Sequence, residues 1–251
     1  MAERGKHMAD INKVTLKGVL VMISSNPKTT LLTISIKDYR GKRDPNTGLP
    51  RKNMPVITFF GKEGQEIASK YNRGDHVTIT GVIQNTYNHQ QLEGRQECWG
   101  LSIQPTPSIA EAAGGENEGL TGRLYPDDVN EVVLKGKVTN VAANPGKNGS
   151  GTVFISIKTA VDGYRSNSSV LYPMKGADAF IKALTIGSTV TAVGKLSVAE
   201  RPNRNDRKKK IRFEAVIVRE LFVNNKASVQ NNKTDENSGG SEQMGAFPEF
   251  G

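Results

Sequence analysis

The chain has 251 residues, of which 36% are hydrophobic, 6% aromatic and 24% charged, proportions that argue against a membrane-embedded or wholly disordered chain. No run approaches the roughly 20 apolar residues of a membrane-spanning helix, and one cysteine with three histidines excludes an intrachain disulfide and argues against a structural zinc site. Lys and Arg total 34 against 25 Asp and Glu, a formal charge of +9, which points toward polyanions, nucleic acid first.

In chain order, residues 1–9 read as a leader or an alternative start, because Met8 follows Met1 just ahead of the first patterned segment. Val14, Leu16, Gly18 and Leu20 then alternate with Thr15 and Lys17, the period of two that a half-buried strand requires. Leu32, Ile34 and Ile36 repeat the pattern. A basic loop follows, in which Arg40, Lys42, Arg43, Arg51 and Lys52 face one acidic residue, Asp44, a surplus of four positive charges. Across Gly61 to Tyr71, Ile67, Ala68 and Tyr71 fall at helical spacing, and Val77, Ile79, Gly81 and Ile83 return to alternation. Residues 105–127 lack a sustained apolar pattern and read as a linker.

The sequence then starts again. Asp10 to Gly18 recurs as Asp128 to Gly136 with six identities in nine positions at an offset of 118. Asn26-Pro27 returns as Asn144-Pro145, Ile34-Ser-Ile-Lys37 as Ile155-Ser-Ile-Lys158, and Gly74 and Gly81 as Gly187 and Gly194. The second copy has a short helix at Ala179, Phe180, Ala183 and Leu184 and its own basic run, Arg201, Arg204, Arg207, Lys208, Lys209, Lys210 and Arg212 against Glu200 and Asp206. A period above 100 residues is a duplicated domain rather than a solenoid unit. Three strands, a helix and two strands in about 100 residues, with glycines where strands bend, is the order of a five-stranded OB barrel. The expected fold is therefore all-β, two tandem OB-fold barrels at residues 10–104 and 128–223; a small SH3-like barrel is the alternative. From residue 224 the composition turns polar, and 224–251 is expected to be a disordered tail.

Asn12-Lys-Val-Thr-Leu-Lys-Gly18 at the head of the first strand resembles the opening of bacterial and phage single-stranded DNA-binding proteins. Phe60-Gly-Lys62, then Glu66, Ala68, Lys70-Tyr71, Gly74 and Val77 to Gly81, is similar to the strand, helix and strand of that family, and Asp44-Pro-Asn-Thr-Gly48 looks like its second-to-third strand hairpin. The likeness covers about Ile11 to Gln104 and is weaker in the second copy. It implies an OB fold that coats single-stranded DNA with little sequence preference and recruits replication, recombination and repair proteins through a flexible tail.

The resemblance places Phe60 on a stacking position, whereas Phe59 has the opposite strand phase. The family's tryptophan positions appear here as Lys42 and Met54, so charge carries more of the expected binding. Tyr87 lies near an aromatic position of the loop after strand four, with Arg95 on the same hairpin and Lys62 beside Phe60. Trp99 reads as barrel core. In the second copy Pro173-Met174 replaces Phe-Gly, Tyr172 shares the phase of Phe59, and Phe154 takes the outward phase against Ile155 and Ile157 as a replacement platform. The expected single-stranded DNA surface is thus Phe60, Tyr87, Phe154, Lys62, Arg95 and the two basic runs. The tail ends in Phe247-Pro248-Glu249-Phe250, followed by Gly251, the expected partner-binding tip for peptide-in-groove docking.

No catalytic constellation is present. Gly146 to Gly151 imitates a phosphate loop, but Thr152 stands where the lysine is needed, and it reads as a turn; His76 and His89 lack a partner pattern. No enzyme activity, cofactor or membrane association is expected. Without a hydrophobic opening segment, a reducing cytoplasm, bacterial or phage-infected, is the expected compartment. An RNA-binding OB protein and a protein-interaction scaffold are the alternative functions, and a homodimer and a monomer are equally compatible with the sequence.

Overall fold

Strand alternation produces two closed rings of strands. The computed structural model describes residues 9–37, 52–88, 93–106, 128–145, 150–175, 180, 184–202 and 210–225. In the first copy lie β1 (Ile11–Ser25), β2 (Thr29–Lys37), the two-residue β3 (Lys52–Asn53), β4 (Val56–Phe60), α1 (Gly61–Lys70), β5 (His76–Asn88) and β6 (Glu93–Pro105). The second copy supplies β7 (Val129–Pro145), β8 (Ser150–Val161), β9 (Tyr164–Lys175), β10 (Thr189–Pro202) and β11 (Lys210–Asn225). β1 pairs with β2, β2 with β4, β4 in parallel with β6, β6 with β5, and β5 with β1, closing a five-stranded barrel. The ring β7-β8-β9-β11-β10-β7 closes in the same way, again with one parallel pair, β9 and β11. This is the OB architecture, all-β and in tandem. Closure leaves each ring without a free edge in its body.

Inward positions of the two rings form one continuous apolar cluster, from Leu16, Ile34, Ile57, Phe59 and Ile79 to Leu134, Ile155, Val170 and Val216. Four glycines permit the curvature. A Cβ on Gly18 would lie 2.4 Å from the Ser35 carbonyl oxygen, and one on Gly81 would lie 2.4 Å from that of Trp99. Gly136 and Gly194, their counterparts, meet the carbonyls of Lys158 and Ile217 at 2.1 and 2.3 Å. The ladder slips at Thr80/Gly81 and again at Val193/Gly194, bulges that sharpen the bend where the backbones touch.

Helix α1 begins where Gly61 turns the chain out of β4 at φ +58°, and it buries Gly64 and Ile67. Glu63 in the first turn and Lys70 in the last complement the helix dipole. Tyr71, just past the end, donates its hydroxyl to the Ile103 carbonyl at 3.2 Å. Of the corresponding segment in the second copy, Phe180 and Leu184 are described, and Leu184 N donates to Phe180 O at 3.0 Å; Ala179 and Ala183 lie outside the described residues.

The ladder corrects one sequence alignment. Leu20 pairs with Ile34, and its counterpart Val138 pairs with Ile157. Ile34 therefore corresponds to Ile157, not to Ile155, a slip of two residues that preserves the strand phase and is invisible to alternation alone. Of the apparent phosphate loop, 146–149 lie outside the described residues, and Ser150 to Thr152 are strand.

The two barrels join through β1 and β7. Seven residues pair antiparallel from Ile11↔Lys135 to Lys17↔Val129, and the equivalent valines Val14 and Val132 face each other. A pseudo-twofold axis thus passes between them. Two asparagines extend the barrel ladders beside this seam. Asn12 donates to Ile83 O and accepts from Ile83 N, both at 2.8 Å; Asn130 does the same with Leu196 O at 2.8 Å and Leu196 N at 2.9 Å. A primary amide carries the donor and the acceptor that one strand residue needs. Near the seam, His76 Nε2–H donates to the Asp128 carboxylate at 3.1 Å, with both side chains buried. Among the described residues no helix is long and apolar enough to cross a membrane, and no cluster of His, Cys, Asp or Glu is placed to hold a metal ion.

Two consequences are measurable. Gly81→Ala is expected to lower the unfolding free energy by about 1–3 kcal/mol through overpacking against a backbone carbonyl, read from the urea midpoint. Cys98 is fully buried; burial pushes its thiol well up, and the negative charge of Glu214 adds to the shift. The thiolate is the reactive form, so Cys98 is expected to resist a disulfide-exchange reagent at pH 8 until denaturant unfolds the chain.

Candidate nucleic-acid interface

Among the described residues of the first barrel, the side chain with the most exposed ring sits at a junction of elements. Phe60 is the last residue of β4 and the N-cap of α1. Strand phase separates it from its neighbour: Phe59 is 1% exposed and Phe60 46%. Phe59 fills the space above Gly100, where a Cβ would come within 2.2 Å of its ring. Phe60 turns outward.

Phe60 does not stand alone. Its ring and that of Trp99 form a T-shaped pair at a centroid distance of 4.9 Å and an interplanar angle of 72°. Trp99 in turn meets Tyr164 at 6.5 Å and 79°. The expectation that Trp99 belongs to the barrel core is corrected here: Cys98 takes the inward phase and is fully buried, while Trp99 is half-buried, outside the core cluster, with its indole N–H reaching the Glu97 carboxylate at 3.4 Å. Sequence reasoning missed Tyr164 because the contact joins residues of different repeats. The strand phase of Trp99 against Cys98 was the available signal.

Cations flank the ring cluster. Lys62 is exposed on the first turn of α1. Lys28, also exposed, is brought to the same place because its carbonyl accepts from Gly61 N at 2.9 Å. The Asn26 side chain shapes that turn by accepting from the backbone N–H of Lys28 and of Thr29, each at 2.9 Å. Lys28 is absent from the sequence-derived set, since a lone lysine beside proline carries no signal.

The other expected residues are distributed as follows. Phe154 is half-buried and alternates with the buried Val153, Ile155 and Ile157, paired laterally with Ala142 and Leu171. Lys52 lies on β3, Tyr87 and Arg95 on the β5–β6 hairpin, and Arg201, Lys210 and Arg212 on the β10–β11 hairpin; their side chains are not described. Arg40, Lys42, Arg43, Arg51, Arg204, Arg207, Lys208 and Lys209 lie outside the described residues, as do Phe247, Pro248, Glu249 and Phe250 of the tail. Met54, at a family tryptophan position, is exposed. Tyr172 packs on the core with Phe180, edge to face at 5.7 Å.

With this geometry in view, the likeness to solved structures is informative. The wild-type single-stranded DNA binding protein from Thermus aquaticus aligns with a TM-score of 0.61 at 15% sequence identity, over 89% of this chain and 97% of that one. A truncated, substituted form of the same protein gives 0.60 at 15%, over 89% and 98%. What is shared is the fold. It extends over nearly the whole of both chains, so the similarity takes in the pair of barrels and not one alone. No family model matches the chain, and no curated protein matches it in sequence.

Removing the Phe60 ring strips Trp99 of a T-shaped contact worth about 0.5–1.5 kcal/mol. Phe60→Ala is therefore expected to red-shift the emission of Trp99, the chain's one tryptophan, and to increase its quenching by iodide, while unfolding stays cooperative.

Proposed function

We propose that this chain binds single-stranded DNA with little sequence preference, coating and protecting unpaired strands during replication, recombination or repair. The observation that carries the reading is Phe60: a ring left 46% exposed on the outside of a closed barrel, paired T-shaped with Trp99 and flanked by Lys28 and Lys62. Burying that ring would have been favourable, by about 1.5–3 kcal/mol for a large apolar side chain; leaving it out suits a partner that brings its own flat apolar surface. An unpaired nucleotide does so, and stacking on an aromatic side chain is worth about 1–3 kcal/mol per base whichever base it is. The fold shared with the Thermus aquaticus protein supports the same reading.

Phosphate attraction falls to the cations. Arg40, Lys42, Arg43, Arg51 and Lys52 serve the first barrel, and Arg201, Arg204, Arg207, Lys208, Lys209, Lys210 and Arg212 the second, with Arg95 and Tyr87 on the intervening hairpin and Phe154 as the second barrel's ring. Residues 224–251 recruit partner proteins through Phe247, Pro248, Glu249 and Phe250. The function is binding, not catalysis.

Oligo(dT) added at low ionic strength is expected to quench Trp99, with log K falling against log salt at about −0.7 per phosphate neutralised. Phe60→Ala should weaken binding roughly 5- to 150-fold. Tighter binding of oligo(U) than of oligo(dU), two strands that differ only in the 2′-hydroxyl, would transfer the reading to RNA. No binding of poly(dT) at low salt, or preference for duplex, would overturn it.

A further inference from the structure

The pseudo-twofold axis sets two junctions side by side, and they share one framework. At one, Ser169 N of β9 donates to Gln96 Oε1 of β6 at 3.1 Å. At the other, Val56 N of β4 donates to Glu214 Oε1 of β11 at 2.6 Å. The ladders identify these as the same contact: β4 runs parallel to β6 with Thr58 beside Trp99, and β9 runs parallel to β11 with Leu171 beside Ile217. Trp99 therefore corresponds to Ile217. By the pairing of Thr29 with Phe60 and of Thr152 with Pro173, Phe60 corresponds to Pro173.

The two junctions differ in chemistry. One carries Phe60 and Trp99 with a neutral glutamine in the bridge; the other has proline and isoleucine at those places and a glutamate in the bridge. Into the first, the second repeat inserts one more ring. Tyr164 opens β9 directly after a two-residue turn in which Asp162 (φ 48°) and Gly163 (φ 84°) are both left-handed, the tight hairpin geometry in which asparagine or aspartate precedes glycine. Beyond it β9 is tied to the first barrel, where Asn85 Nδ2 donates to Asn167 O at 2.5 Å. Tyr164 is thus positioned before any ligand arrives, and preorganisation reduces the ordering cost of binding.

We infer that Tyr164 is a nucleotide-stacking residue supplied by the second repeat to the ring set of the first, so that one unpaired strand crosses from repeat to repeat over the Phe60–Trp99–Tyr164 junction and not over its pseudo-symmetric twin. The inference rests on the proposed function and adds a residue, a path and an asymmetry to it. The spacing of 4.9 Å and then 6.5 Å between ring centroids is short enough that a few consecutive nucleotides reach both ends of the set.

Anisotropy of a labelled oligo(dT) of about six nucleotides, within the span one OB fold engages, tests this with wild type, Phe60→Ala, Tyr164→Ala, Tyr164→Leu and Tyr164→Phe, each checked for an unchanged cooperative melt. Tyr164→Ala and Tyr164→Leu are expected to weaken binding about 5- to 150-fold, as Phe60→Ala does, while Tyr164→Phe stays within about twofold of wild type. If Phe60→Ala weakens binding but Tyr164→Ala does not, or if Tyr164→Leu restores wild-type affinity, Tyr164 only packs the repeats together and the inference fails, with the proposed function intact. If wild type ignores oligo(dT) of every length at low salt, both fall. Pro173→Ala at the twin junction should change nothing, and a loss there comparable to that of Tyr164→Ala would remove the asymmetry.

Discussion

Seven residue pairs between β1 and β7 hold the molecule's geometry together. Each barrel closes by itself; among the described residues this is the one strand ladder that joins them, and side-chain bridges such as Gln96 to Ser169 and Glu214 to Val56 span the barrels beside it. A shift of one residue in the ladder would set the residues of β7 in the opposite phase to those of β1 and misalign the inward faces of the two barrels. Val14 opposite Val132 fixes the symmetry point, and the amides of Asn12 and Asn130 pin the strand ends on either side. Leaving such buried backbone groups unmatched would cost about 1–3 kcal/mol each. The seam is therefore specified by polar groups as much as by the apolar cluster beneath it.

From that seam the position of the candidate interface follows. The ladder brings β9 across β5 and β6, β3 against β10 and β4 against β11, so each barrel borrows a hydrogen-bond partner from the other. Trp99 sits where one of those crossings meets the barrel wall. Its ring is supported by Phe60 from its own repeat and by Tyr164 from the other, and the cluster is built from strand ends and a two-residue turn, elements with little freedom to rearrange. Rigid rings at a fixed spacing suit a ligand whose units repeat.

Much of this was legible in the order of residues. Alternation located the strands, the glycine pairs Gly18 and Gly136, Gly81 and Gly194 marked the bends, and the opposite phases of Phe59 and Phe60 sorted core from surface. Alternation repeats every two residues, however, and so it could not distinguish Ile155 from Ile157 as the partner of Ile34. It also says nothing about contacts between repeats, which is why Tyr164 was missed and why Asn12 and Asn130, plainly matched in the two copies, had no visible role. His76 and Asp128 were unreadable for the same reason, being far apart in the chain and joined only after folding. The strand phase of Trp99, opposite to that of the buried Cys98, contradicts its reading as barrel core.

Covalent fusion has a consequence for what this molecule can become. A symmetric homodimer must place any substitution at both related contacts, so a change useful at one and harmful at the other is rejected. Here the bridge residues Gln96 and Glu214 occupy related places on one polypeptide and have already parted in charge. Each half is free to specialise without consulting its twin, and a pair that began as copies can acquire a front and a back.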